Sequence, residues 1–144
     1  MIGQISNIVA TEPREIPETS TKFHAPRILV VDDERLVRWA IAETLGEQGY
    51  EILEAGDGES AKREVLMHPP DLVLLDLRLP DSDDLRIACF IRAHAPKTPI
   101  VLMTAYGTPE ITTQAANLGA IFVGKPFDMN ELTSIVERAL IPNP

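Results

Sequence analysis

The chain has 144 residues, of which 44% are hydrophobic and 24% charged; this is the length of one domain with enough apolar content for a core. Its 13 Lys and Arg against 22 Asp and Glu give a formal net charge of −9, which argues against nucleic-acid binding by this chain alone and favours a cation or a basic partner surface. The single cysteine, Cys89, excludes an internal disulfide. With no secretory signal and no apolar run near the roughly 20 residues of a membrane span, the expected compartment is cytoplasmic, away from the membrane.

In chain order, residues 1–26 read as a flexible N-terminal arm, since Pro13, Pro17 and Pro26 stand among Thr, Ser and Glu with little to bury. The domain proper runs from 27 to 141. It opens with the apolar strand "RILVVD", followed by a helix from about Glu34 to Gln48 that stacks Val37, Ala40, Ile41 and Leu45 and stops at Gly49. Further strands are "YEILEA", "DLVLLD", "PIVLM" and "IFVG", with helical patterns between them. The first, third and fourth strands are nearly continuous Val, Leu and Ile, as in parallel strands covered on both faces. Thr108 and Pro109 suit the start of the fourth helix. In the fifth, Asp128 and Glu131 form a capping-box pattern ahead of Leu132, Ile135, Val136, Ala139 and Leu140. Residues 142–144 form the C-terminal end. Five strand–helix units in about 115 residues predict an α/β fold, a doubly wound five-stranded parallel sheet.

In such sheets function gathers at the carboxyl ends of the strands. The first strand ends in Asp32 and Asp33, the third in Asp76; Thr104 follows the fourth, and Lys125-Pro126 the fifth. Alone, any of these acids reads as a helix cap or a solvated strand end. Converging, two carboxylates about 4 Å apart repel by roughly 4 kcal/mol at an effective dielectric near 20, so a cation is expected among them. Oxygen-only ligands on a rigid edge favour Mg²⁺. A carboxylate beside Mg²⁺ can act as a nucleophile towards phosphorus and form an aspartyl phosphate. The ion, the Lys125 ammonium and the Thr104 hydroxyl would then each take one phosphoryl oxygen.

The motifs "VVDDE", "LLDLRLPDSD", "MTAY" and "GKPF" together resemble the receiver domain of two-component response regulators, most closely the nitrogen-regulatory class that usually precedes an AAA+ ATPase. The resemblance spans about Arg27 to Leu140 and implies a flavodoxin-like sheet of strand order 2-1-3-4-5. It implies that Asp76 accepts a phosphoryl group from a sensor histidine kinase or a small phosphodonor. Asp33, Asp76 and the backbone carbonyl of Arg78 would bind Mg²⁺ directly, and Asp32 largely through water. Thr104 and Tyr106 would form a switch pair, with a cis Lys125–Pro126 bond beside them. Such a protein promotes its own phosphorylation and dephosphorylation without being a turnover enzyme. Its output would pass to a second copy or an effector through the face of helix 4, strand 5 and helix 5.

One departure stands at Asp84, where the family usually has Gly; with Asp81 and Asp83 it places extra acid near an anionic donor. A flavin-binding domain of similar topology is rejected because "DDER" stands where a phosphate loop is needed, and an aspartate phosphatase because the first strand lacks Asp-x-Asp. The alternative is a phosphorylation-independent interaction module on a receiver scaffold. The fourth helix offers a dimer only Ile111, Ala115 and Leu118 as an apolar stripe.

Overall fold

A computed structural model describes residues 24–82, 84–105 and 107–141. Five strands, β1 (Arg27–Val31), β2 (Glu51–Ala55), β3 (Leu72–Asp76), β4 (Ile100–Thr104) and β5 (Ile121–Gly124), alternate with α1 (Arg35–Glu47), α2 (Gly58–Met67), α3 (Arg86–His94), α4 (Pro109–Asn117) and α5 (Met129–Leu140). The sheet is parallel throughout, in the order β2-β1-β3-β4-β5, which is the predicted 2-1-3-4-5.

Alternation along the strands divides the core in two. Leu29, Val31, Val73, Leu75, Ile100 and Leu102 face α2, α3 and α4, where Ala61, Val65, Ile87, Ile91 and Ala115 meet them. Ile28, Val30, Leu72, Leu74, Val101 and Met103 face α1 and α5 and pack on Ile41, Leu45, Leu132 and Val136. The three central strands are therefore buried on both faces, the reason their sequences read as unbroken apolar runs. Emptying either layer by a Leu→Ala change would cost about 2–5 kcal/mol.

The helix ends follow their chemistry. The Thr108 hydroxyl accepts from the Ile111 N–H, the Asp128 carboxylate accepts from the Glu131 N–H, and α1 stops before Gly49 at φ +97°. The α4 stripe of Ile111, Ala115 and Leu118 packs towards the sheet, with Ala115 buried and Ile111 and Leu118 partly buried.

At the opposite edge of the sheet from the strand ends, Arg92 of α3 gathers the carbonyls that close two helices. Its Nε donates to Leu118 O (2.9 Å), and Nη1 to Thr98 O (2.7 Å), Pro96 O (3.1 Å) and Ala95 O (3.3 Å). Free C-terminal carbonyls are what such a guanidinium satisfies.

Candidate functional site

Strand register builds the site. Val31 pairs with Leu75, Asp76 with Met103 and Thr104 with Gly124. Asp32, Asp76, Thr104 and Lys125 therefore stand at nearly one level on adjacent strands, whose spacing is about 4.8 Å. Asp32 is fully buried, Asp76 is 5% exposed and Thr104 3%, while Asp33 is exposed. One carboxylate oxygen from each of Asp32, Asp33 and Asp76 lies within 4.8 Å of the other two.

Lys125 is the hub among these acids. Its backbone N–H donates to Thr104 O (2.8 Å), tying the end of β5 to β4. Its Nζ donates to Asp32 Oδ2 at 2.7 Å and Asp76 Oδ2 at 3.0 Å, with Glu34 Oε1 at 3.5 Å. The remaining oxygens are oriented by the backbone: Asp32 Oδ1 accepts the Glu34 N–H and Asp76 Oδ1 the Arg78 N–H, each at 2.9 Å. The peptide bond between Lys125 and Pro126 is cis.

Burial pushes the Asp76 carboxyl above its ordinary range; the Arg78 N–H and Lys125 pull it back, and the Asp32 charge raises it further. For Lys125, burial works against the ammonium, but Asp32 and Asp76 outweigh it and hold the amine above its usual value. The single ammonium of Lys125 pairs with Asp32, Asp76 and Glu34, and Asp33 adds a further carboxylate beside them, so acids outnumber the cation. That donor set, all oxygen and net negative, fits a hard divalent cation.

Of the predicted residues, the structure brings Asp32, Asp33, Asp76 and Lys125 together, with Thr104 at the neighbouring strand end and Arg78 in the turn after Asp76. Tyr106 lies outside the described residues, as do Asp83, residues 1–23 and residues 142–144. Among the described residues, the extra acids Asp81 and Asp84 are occupied. Asp81 accepts the Gly58 N–H on Oδ1 (2.7 Å) and the Glu59 N–H on Oδ2 (3.1 Å), capping α2. Asp84, at the usual Gly position, accepts the Arg86 N–H (2.9 Å) and pairs with its guanidinium (3.0 Å), opening α3.

Sequence reading missed Glu34 as the third partner of Lys125. It also missed Arg38, whose Nη1 donates to the Asp32 carbonyl (2.6 Å) and whose Nε pairs with Glu54 (3.0 Å). Neither bond leaves a pattern in one dimension, because both depend on where the β1–α1 turn falls. Beside the acids, an apolar cavity of about 520 Å³ runs between α1 and the start of α5, lined among others by Leu36, Val37, Phe127 and Met129.

A doubly wound parallel sheet with buried aspartates and a lysine at its carboxyl edge defines an α/β domain built around an acidic, cation-compatible site. The model of the response regulator receiver domain matches residues 28–137, and the chain belongs to that family. It is 42% identical over 115 residues to the regulatory protein AtoC of Escherichia coli, covering 79% of this chain and 25% of AtoC. It is 38% identical over 127 residues to the transcriptional regulatory protein PdtaR of Mycobacterium tuberculosis, covering 86% of this chain and 62% of PdtaR. The solved receiver domain of NtrX from Brucella abortus superposes with a TM-score of 0.72 at 36% identity, covering 78% of this chain and 97% of that one. The chain thus spans a quarter of AtoC and under two thirds of PdtaR. Among the described residues, no helix is long and apolar enough to cross a membrane.

Proposed function

We propose that the protein, over residues 27–141, is a phosphorylation switch in which Asp76 accepts a phosphoryl group from the phosphohistidine of a sensor kinase or from a small phosphodonor. One observation carries this reading: the Asp76 carboxylate is fixed at one oxygen by the Arg78 N–H and at the other by Lys125, within 4.8 Å of two further carboxylates. An Asp76 oxygen attacks phosphorus in line. The O–P bond forms as the bond from phosphorus to the donor breaks, and the donor leaves with the bonding pair.

Asp33, Asp76 and the Arg78 carbonyl are the residues to hold Mg²⁺, with Asp32 acting through water. When bound, Mg²⁺ neutralises charge on the transferring group. Lys125 draws one phosphoryl oxygen as its bond to Asp76 gives way, and the Thr104 hydroxyl donates to another. Thr104 and Tyr106 relay the change to the α4–β5–α5 face, which meets an effector or a second copy. The protein promotes gain and loss of its own phosphoryl group and turns over no separate substrate.

The test is intact-mass measurement after incubation with acetyl phosphate, with and without Mg²⁺, beside Asp76→Asn. A Mg²⁺-dependent gain of one phosphoryl group that disappears in the mutant supports the reading. No gain in the wild type, with no beryllofluoride complex either, replaces it with an interaction module that works without phosphate.

A further inference from the structure

The β1–α1 turn poses a problem of aim. Asp33 is exposed, so its side chain is directed by the backbone of the turn and not by core packing. The peptide unit joining Asp32 to Asp33 is the one whose rotation re-aims Asp33. Its carbonyl, on Asp32, precedes the helix and lies outside the α1 hydrogen-bond ladder. Arg38 Nη1 donates to that oxygen at 2.6 Å. The guanidinium is in turn held by Glu54 Oε1 on Nε, at 3.0 Å and with the Arg38 side chain 19% exposed. It also lies over Gly56, where a Cβ would stand 3.2 Å from Nη1. Gly56 is outside the positive-φ region, so its missing side chain serves this close approach and not an unusual backbone.

We infer that Arg38, braced by Glu54 across Gly56, is a positioning residue for divalent-cation binding: it locks the Asp32–Asp33 peptide so that Asp33 faces Asp32 and Asp76. The inference rests on the phosphoacceptor reading, since it presumes that the three carboxylates take a cation. Its sign is informative. A guanidinium near the site repels a cation, so charge alone would make removal of Arg38 tighten binding. Fixing of the turn makes removal weaken it.

The experiment is calorimetric titration of the unphosphorylated full chain with Mg²⁺, beside thermal unfolding of each variant. Arg38→Met is expected to bind Mg²⁺ about 10- to 100-fold more weakly, the range found for residues that orient metal ligands. Arg38→Lys keeps the charge but loses the fork that serves both acceptors, and should also weaken binding. Gly56→Ala leaves every charge in place and displaces Nη1; it should weaken binding in the same direction, and it keeps the idea testable if Arg38→Met does not fold. At saturating Mg²⁺, Arg38→Met should recover the wild-type extent of Asp76 phosphorylation, which a general loss of structure would not allow. Equal or tighter Mg²⁺ binding by folded Arg38→Met and Gly56→Ala overturns the positioning role while leaving the phosphoacceptor reading standing. A wild type that binds no Mg²⁺ overturns both.

Discussion

Asp76 closes β3 and Asp81 stands five positions on, in the connection to α3, and the protein treats them in opposite ways. Burial and the nearby Asp32 charge raise the Asp76 carboxyl, against the pull of Arg78 and Lys125. The Gly58 N–H holds Asp81 below the ordinary carboxylate range against a smaller upward push from desolvation, and the Glu59 N–H adds to the lowering. One acid is placed where its charge is costly, among like charges at the end of a sheet. The other is placed where charge is welcome, on the free N–H groups and positive end of a helix. The contrast separates the aspartate proposed as phosphoacceptor from one that holds a helix end.

That contrast can be broken at Lys125. Lys125→Met leaves Asp32 and Asp76 facing each other without a cation, and should cost about 3 kcal/mol of stability at neutral pH without Mg²⁺, as when one partner of a buried pair is removed. Chemical denaturation would measure it. The loss should shrink as the buffer is acidified, because protonating Asp76 relieves the repulsion; a loss independent of pH would mean that packing of the lysine stem, not charge, is at stake.

A smaller effect is expected from the structural acid. Asp81→Ala should lower the Tm by about 4 °C, the scale of a lost helix cap in a domain of this size. The wild-type advantage over this mutant is present at neutral pH and is lost as pH falls through the depressed Asp81 value, since a lowered folded pKa stabilises only above it.

The smallest change has the opposite sign. Asp76→Asn in Mg²⁺-free buffer should raise the Tm by about 3 °C, because a neutral amide removes the repulsion with Asp32 and lessens the burial penalty. A folded pKa above the unfolded one means that the native state binds the extra proton as pH falls. Wild type therefore catches up with the mutant in acid. Melting curves across the acid range would reveal it, and a mutant less stable than wild type at neutral pH would show that the Asp76–Lys125 bond outweighs the penalty.

Most of the fold was legible because periodicity and burial speak the same language here: five apolar runs, five amphipathic stretches and the caps at Thr108 and Asp128 all recur in the structure. The acid cluster was legible because strand ends share an edge in a parallel sheet, so Asp32, Asp76 and Lys125 needed only the right register to meet. Side-chain aim was not legible. Asp81 turning to α2 and Arg38 reaching the Asp32 carbonyl are choices among rotamers and turn geometries that leave no sequence periodicity. The sequence marks Ile111, Ala115 and Leu118 as an apolar stripe, but not that Ala115 is the one fully covered by the sheet.

Arg92 has a mechanical consequence. Its bonds to Leu118 on one side, and to Ala95, Pro96 and Thr98 on the other, rivet α3 and α4 together at their heels. The toes of both helices lie at the other edge, beside the loops that leave Asp76 and Thr104. Any tilt of α4 against α3 must therefore act as a lever about that rivet. Displacement is then least near Arg92 and grows towards the start of α4, roughly 13 Å along a nine-residue helix.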